Sequence, residues 1–182
     1  DHDLGRVIAI ANQKGGVGKS TTTINLGSCL AEMDKEVLVI DIDPQGNTTS
    51  GVGVDKNKSE NTLYELMLGK KTIQECILPN IQQNLALIPS NMNLAGAEIE
   101  LIGVDNKEYI LKNAVEEVKN NFDFIIMDCP PSLSMLTINA MSAADSVIVP
   151  IQCEYYALEG LSQLVHTIQL VQDRLNPKLE ME

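Results

Sequence analysis

The sequence predicts an α/β fold in which helices cover both faces of a mostly parallel β-sheet. Short apolar runs rich in β-branched residues recur at positions 7–11, 36–43, 85–90, 122–128 and 146–151. Such runs are typical of strands that are buried on both faces. Amphipathic segments separate them, and this alternation indicates β-α-β units. With 182 residues, the chain is long enough to bury this core as one domain.

Helical spacing of apolar residues predicts the helices that cover the sheet. The first begins at Ser20 and ends where Asp34 and Lys35 break the pattern. Further helices are predicted over residues 61–68, 92–102, 106–120, 134–143 and 158–175. The segment 44–60 is rich in turn-forming residues and has little apolar content, so we expect a mobile loop there.

Composition narrows the classes of function. The chain carries 25 acidic against 13 basic residues, and a net charge of -12 argues against this part wrapping nucleic acid by itself. The four cysteines, Cys29, Cys76, Cys129 and Cys153, are too widely spaced for a zinc site. Their apolar or helical settings predict buried free thiols in a reducing cytoplasm. No apolar run approaches the length that spans a bilayer. Because the sequence opens with "DHDLG" and no initiator Met, residues 1–5 are assigned to a trimmed or artificial tail and residues 6–182 to the domain.

A glycine-rich stretch, "ANQKGGVGKSTTTINLG", joins the first predicted strand to the first predicted helix. It matches the phosphate-binding pattern G-x-x-x-x-G-K-[ST] at Gly18, Lys19 and Ser20, but Gln13 stands where the pattern has its first glycine. The preceding strand at 7–11 and the following helix provide the context that the pattern requires. The stretch is therefore interpreted as a phosphate-binding loop (P-loop), and the alternative is a glycine-rich turn without a ligand.

The chemistry of this loop depends on its glycines and its last two residues. Gly15, Gly16 and Gly18 have no Cβ, so the backbone can direct successive N–H groups toward one anion. Lys19 supplies positive charge to the outer phosphates, and Ser20 supplies a hydroxyl suited to Mg²⁺. The helix N-terminus also favours negative charge. The predicted nucleotide-binding residues are Lys14, Gly15, Gly16, Val17, Gly18, Lys19, Ser20 and Thr21.

Two predicted strands end in aspartates. Asp41 and Asp43 follow one apolar run, and Asp128 follows "FIIM" in another. The carboxyl ends of parallel strands face a common crevice, so these aspartates should lie beside the P-loop. Asp128 resembles a Walker B aspartate that binds Mg²⁺, and Asp43 is placed to orient an attacking water. A strand-end aspartate can equally cap a turn or a helix, and Asp41 is interpreted in that way. The predicted Mg²⁺ ligands are Ser20, Asp43 and Asp128.

These motifs together resemble the ParA/MinD superfamily of P-loop NTPases. "KGGVGKST" is similar to its deviant Walker A signature, "DIDPQGNTTSG" to its switch I and "IIMDCPPSLS" to its switch II. "PIQCEYYALEGL", residues 150–161, resembles the ParA and Soj branch of chromosome and plasmid partition ATPases. The resemblance extends over almost the whole chain from residue 6 onward, and it implies the P-loop NTPase fold.

The resemblance implies an enzyme that binds ATP and Mg²⁺ and hydrolyses ATP as a homodimer. In this family two ATP-bound subunits face each other, and the signature lysine extends to the partner's phosphates. Lys14 occupies that position, so Lys14 and Asp43 are the implied catalytic residues. A lysine delivered in trans would act on the transferred phosphoryl group as an arginine finger does. The alternative is that Lys14 contacts phosphates in its own subunit or is a solvated loop residue.

The resemblance also implies partners and a location. Partition ATPases bind DNA non-specifically and respond to a ParB-like adaptor, so the expected protein is cytoplasmic and nucleoid-associated, with no membrane partner. Family members are longer than this chain, and their C-terminal part supplies the remaining strands, much of the adenine pocket and the DNA-binding basic residues. The sequence is therefore expected to be the N-terminal portion of the ATPase domain, without its C-terminal strands.

Other classes share parts of this pattern. A MinD-like membrane-cycling ATPase has the same P-loop, but the "EYYALEG" segment favours the partition branch. A nitrogenase-reductase-like electron carrier needs a cluster-binding cysteine several residues after the switch II aspartate, whereas Cys129 is adjacent to Asp128 and residues 130–140 contain no cysteine. A P-loop kinase or synthetase would require an acceptor pocket, and the sequence shows no sign of one. A non-enzymatic, ATP-gated scaffold is disfavoured by the presence of both Lys14 and Asp43.

Overall fold

A seven-stranded sheet forms the centre of the protein. The computed structural model describes residues 5–11, 17–55, 57, 59–131, 134–149 and 157–181, with the backbone only for 17–21 and 157–163. The strands are β1 (Arg6–Ile10), β2 (Val37–Asp41), β3 (Leu78–Gln82), β4 (Leu85–Ile88), β5 (Phe124–Asp128), β6 (Ser146–Ile148) and β7 (Glu180–Met181). Their order is β3-β4-β2-β5-β1-β6-β7, and only the β3–β4 pair is antiparallel. The predicted α/β fold with a mostly parallel sheet is confirmed.

Every helix predicted from the sequence is present. The helices are α1 (Val17–Glu32), α2 (Asn47–Gly51), α3 (Leu63–Met67), α4 (Ile73–Cys76), α5 (Ala97–Glu100), α6 (Ile110–Val118), α7 (Met135–Ala143) and α8 (Ala157–Arg174). Short 3-10 turns flank two of them, at Met92–Gly96, Lys107–Tyr109 and Lys119–Asn121. Among the described residues, none of these helices is long and apolar enough to cross a membrane.

Helices cover both faces of the sheet, as the uninterrupted apolar runs predict. In β2, Val37 and Val39 pack in the cluster that includes Ala31 of α1. Leu38 and Ile40, which alternate with them, belong to the cluster formed with α6, α7 and α8. Because successive side chains of a strand point to opposite faces, β2 is covered on both sides. This burial leaves the ends of the strands as the place where polar groups can gather.

Four elements were not predicted, and each lacks the pattern that marks its neighbours. Strand β3 lies at the edge of the sheet and contains Pro79 and Asn80, both exposed, so it shows no apolar run. Helix α4 is a single turn held by a capping box between Thr72 and Glu75. Strand β7 is only two residues long, and α2 lies within the segment predicted to be a loop. The prediction of a buried thiol is wrong for Cys29, which is exposed on α1, and is confirmed for Cys76 and Cys129. Cys153 lies outside the described residues.

Gly5, assigned from the sequence to the N-terminal tail, packs against the 3-10 turn that precedes β5. It is buried, and its N–H donates to the carbonyl oxygen of Lys119 at 3.0 Å. A Cβ at this position would lie 2.5 Å from the carbonyl oxygen of Phe122 and 2.7 Å from that of Lys119. Both are backbone atoms, so the clash cannot be relieved by turning a side chain.

We therefore expect Gly5→Ala to lower the free energy of unfolding by about 1–3 kcal/mol, the usual cost of overpacking. Gly103→Ala is the matched control, because a Cβ at Gly103 would meet nothing within 4 Å. A surface change of that kind should stay within about 0.5 kcal/mol. Urea unfolding of both variants makes the comparison, and equal stabilities would contradict the close packing at Gly5.

Candidate nucleotide site

The carboxyl ends of β1, β2 and β5 lie side by side in the middle of the sheet. Asp128 at the end of β5 is in register with Ile10 of β1 and with Asp41 of β2. The chain leaves β1 at this edge and enters the predicted P-loop. In an open α/β sheet this edge is where ligands bind, at the ends of neighbouring strands.

The P-loop residues predicted from the sequence fall partly outside the described residues. Lys14, Gly15 and Gly16 lie outside the described residues. The predicted contact between Lys14 and the phosphates of the partner subunit falls outside them too. Val17, Gly18, Lys19, Ser20 and Thr21 form the start of α1, for which the structure describes the backbone. Helix α1 begins at Val17 rather than at Ser20. Strand β1 therefore precedes the glycine-rich segment and helix α1 follows it, which is the context that phosphate binding requires.

Asp41 is fully buried and organises the chain that follows β2. Its Oδ2 accepts hydrogen bonds from Thr49 Oγ1 at 2.6 Å and from the Thr49 N–H at 2.8 Å. Its Oδ1 accepts from the N–H of Asp43 at 3.2 Å. Burial and the neighbouring Asp128 carboxylate raise the pKa of Asp41 to about 7, although the hydrogen bonds from Thr49 and Asp43 act in the opposite direction. Asp41 thus caps the turn and α2, as its sequence interpretation predicts.

Asp128 is also fully buried, and a side chain from α2 contacts it. Its Oδ2 accepts a hydrogen bond from Thr48 Oγ1. The main-chain carbonyl of Asp128 accepts from the N–H of Ile42, which joins the ends of β5 and β2 one residue beyond their register. Asp128, predicted to bind Mg²⁺, is therefore bonded to helix α2 through its carboxylate and to the end of β2 through its main-chain carbonyl.

Asp43 begins the turn between β2 and α2 and is 5% exposed. Its Oδ1 accepts from the N–H of Gln45 at 3.0 Å. Its carbonyl oxygen accepts from Gly46 N–H at 2.9 Å and from Ser90 Oγ at 2.7 Å. Gly46 has a φ of 68°, a left-handed conformation that glycine adopts at little cost. The backbone of Asp43 is therefore held by a tight turn and by Ser90, which lies two residues after the end of β4.

The prediction of a mobile loop over residues 44–60 is wrong for the first part of that segment, which forms helix α2. Thr48 and Thr49, in the middle of α2, are both fully buried against the strand ends. Sequence reasoning missed them, because threonines after a proline-glycine turn look like loop residues. A signal existed in the pair of adjacent hydroxyls five and six residues after the strand-end acid Asp43, because threonine hydroxyls often hydrogen-bond to groups near them in the chain. The first part of the segment is folded onto the sheet.

A second connection, from α5 to α7, was also missed. Glu98 Oε1 of α5 accepts a hydrogen bond from the N–H of Met135, the first residue of α7, at 2.7 Å. Ser134, the residue before α7, makes no capping bond of its own in the part of the chain that is described. A carboxylate at a helix N-terminus is favourable. Glu98 therefore fixes the helix that follows the predicted switch II.

The acidic end of β5 suits a hard divalent cation. Asp128 places a buried carboxylate there, next in register to the end of β2, and oxygen ligands are those that Mg²⁺ prefers. Mg²⁺ is usually held by one or two carboxylates together with phosphate oxygens and waters. Among the described residues, no group of three or more His, Cys, Asp or Glu side chains could hold a metal ion.

A parallel sheet with a glycine-rich strand-to-helix loop and acidic strand ends defines a P-loop nucleotide-binding protein. The profile of the family described as AAA domain matches residues 5–181. The chain is 55% identical over 179 residues to the sporulation initiation inhibitor protein Soj of Bacillus subtilis, with 98% of this chain and 71% of that protein covered. It is 52% identical to the chromosome partitioning protein ParA of Myxococcus xanthus, covering 98% and 63%. The chain belongs to the ParA/Soj family of ATPases.

A solved structure has the same fold. Cobyrinic acid a,c-diamide synthase from Mycobacterium smegmatis, crystallised with an ATP analog and magnesium, superposes with a TM-score of 0.93 and 42% identity. The comparison covers 98% of this chain and 72% of the synthase. This chain spans 71%, 63% and 72% of the lengths of these three relatives, respectively.

Proposed function

We propose that the protein is a partition ATPase that binds Mg²⁺ and ATP, dimerises in the ATP-bound state and hydrolyses ATP to drive chromosome or plasmid segregation. The observation that carries this proposal is the meeting of Asp41, Asp43 and Asp128 at the strand ends, next to the end of β1, which leads into the P-loop sequence. Two relatives named Soj and ParA support the partition role. The structural relative crystallised with an ATP analog and magnesium supports the choice of ligands.

The proposed nucleotide site divides its tasks among three segments. Backbone N–H groups from Gly15 to Thr21 cradle the phosphates, and Lys19 neutralises the outer ones. Ser20, Asp43 and Asp128 would hold Mg²⁺, directly or through water. The metal, when bound, neutralises charge that develops on the phosphate oxygens.

Hydrolysis is proposed to depend on two further groups. Asp43 orients the attacking water, and Lys14 of one subunit places its charge on the phosphates bound by the other. Catalysis of phosphoryl transfer depends mainly on positioning and on charge stabilisation. Asp43 would supply the positioning, and Lys14 the charge. Because Lys14 would act in trans, turnover becomes conditional on dimerisation. ATP is cleaved to ADP and phosphate, and the dimer then separates.

The proposed partners follow the family. Residues 6–182 are proposed to form the N-terminal portion of the ATPase domain, with DNA-binding residues in a C-terminal part. The net charge of -12 on the 182-residue chain is consistent with DNA contacts that lie elsewhere. A ParB-like adaptor is proposed to stimulate turnover, and the ATP-bound dimer is proposed to associate with the nucleoid in the cytoplasm.

The test is carried out with the full-length protein. We expect Mg-ATP to raise the midpoint of thermal unfolding, because a ligand that binds only the folded state stabilises it. We also expect ATP-dependent dimerisation in analytical ultracentrifugation and phosphate release that depends on ATP and Mg²⁺. A protein that shows no thermal shift and releases no phosphate would refute the proposal. Hydrolysis that requires a small-molecule acceptor would point instead to a synthase.

A further inference from the structure

Helix α2 is attached to the sheet through two adjacent threonine hydroxyls. Thr48 donates to the carboxylate of Asp128 at the end of β5, and Thr49 donates to that of Asp41 at the end of β2. All four of these residues are fully buried. The two acceptors are neighbours in strand register, so α2 bridges the ends of both strands.

Thr49 closes a ring of hydrogen bonds around Asp43. Its Oγ1 donates to Asp41 and accepts from the N–H of Ser90 at 3.0 Å. The hydroxyl of Ser90 donates to the carbonyl of Asp43 at 2.7 Å, and the N–H of Asp43 donates to Asp41 at 3.2 Å. Both backbone polar groups of Asp43 are therefore held by partners that Thr49 connects. Removing the Thr49 hydroxyl breaks this ring at two of its bonds.

From this geometry we propose that Thr48 and Thr49 are positioning residues of the ATPase site. Thr49 sets the backbone position from which Asp43 presents its carboxylate to the attacking water. Thr48 orients the carboxylate of Asp128 toward Mg²⁺. The inference rests on the proposed ATPase function, and it assigns to α2 the task of setting the two acidic groups relative to each other.

Burial explains why hydroxyls are needed here. A buried carboxylate that loses a hydrogen-bond donor keeps its desolvation cost, so its surroundings shift to find another partner. A shift of 1 Å in a positioned catalytic group can cost about 10²-fold in rate. Valine has nearly the shape of threonine without the hydroxyl, and serine keeps the hydroxyl without the methyl group. The pair of substitutions separates hydrogen bonding from packing.

The experiment measures steady-state ATP hydrolysis by the full-length protein and its variants. We expect Thr49→Val to lower kcat by about 10-fold to 10²-fold with the KM for ATP unchanged, because the bonds it removes position a catalytic group. Thr49→Ser should restore most of the parental kcat. Thr48→Val should raise the Mg²⁺ concentration needed for half-maximal rate and for half-maximal thermal stabilisation by ATP, and Thr48→Ser should restore both.

Thr62→Val is the matched control. Thr62 is fully buried and donates to a carboxylate, Glu65 Oε1, at 2.7 Å, but it belongs to the capping box of α3. Its substitution should lower the midpoint of thermal unfolding and leave kcat unchanged. If Thr49→Val does not fold, Ser90→Ala opens the same ring at its other corner and should show the same loss confined to kcat.

The outcomes are distinct. Folded Thr49→Val with parental kcat overturns the role of Thr49, and so does an equal loss in the valine and serine variants. With Thr48→Val, an unchanged Mg²⁺ requirement overturns the role of Thr48. Where Thr49→Val does not fold, a parental kcat in Ser90→Ala overturns the ring. Failure of the parental protein to hydrolyse ATP would refute the proposed function itself, and the positioning roles with it.

Discussion

Asp43→Asn should lower kcat for ATP hydrolysis by about 10² to 10⁴-fold, the usual range for a group that orients or activates a reacting water. ATP binding should stay near the parental level. Asparagine keeps an oxygen that can accept from the N–H of Gln45, which Asp43 Oδ1 now does at 3.0 Å. The turn should therefore survive while the negative charge is lost. With hydrolysis slowed, the ATP-bound dimer should accumulate instead of separating.

Single-turnover hydrolysis, run beside size-exclusion chromatography with Mg-ATP, tests this result. Asp55→Asn is the matched control, because Asp55 Oδ1 accepts from the N–H of Asn57 at 3.0 Å in the same kind of turn. Asp55 is exposed, and its variant should hydrolyse ATP at the parental rate. A parental rate in Asp43→Asn would reduce Asp43 to a turn residue and make Asp41 the next candidate.

The two P-loop lysines should separate in their effects. Lys19→Ala removes the charge that neutralises the phosphates bound in its own subunit, so it should abolish nucleotide binding. Lys14→Ala should leave binding by the monomer largely intact and end both the ATP-dependent dimer and turnover. A charge that acts in trans on the transferred phosphoryl group is worth about 10³ to 10⁵ in kcat in the comparable arginine-finger systems.

A fluorescent ATP analogue measures binding, and analytical ultracentrifugation measures the dimer. Lys35→Ala serves as the control, because Lys35 is an exposed lysine just after the end of α1. It should bind and dimerise like the parental protein. Should Lys14→Ala lose the nucleotide as completely as Lys19→Ala, the assignment of Lys14 to the partner's phosphates is wrong.

Glu98 illustrates a contact that local patterns do not encode. It reads as a solvated residue of a short acidic helix, yet its carboxylate accepts from the first N–H of α7, 37 positions along the chain. The helix of Met135 is predictable from its own apolar spacing. Its capping partner is not, because the choice among several exposed acids is made only when α5 packs beside α7.

The sequence alone predicts the buried strands, the glycine-rich loop and the acidic strand ends. A strand covered on both faces needs an apolar run, as in β2 and β5, and a phosphate loop needs glycines followed by lysine and serine. These are local requirements, so composition within a few residues satisfies them. The edge strand β3 is not covered on both faces and so needs no apolar run. For that reason the sequence did not predict it.

Only the tertiary structure decided how the acidic groups are held. Asp41 could have been a cap or a catalytic residue, and the segment after Asp43 could have been a loop. Ser90 bonds Asp43 across 47 positions and Thr48 bonds Asp128 across 80. The strand order brings these residues together, since β2 lies between β4 and β5. A buried carboxylate needs hydrogen-bond donors. Here the donors come from segments that are distant in the sequence, so only the folded sheet determines which donor each carboxylate meets.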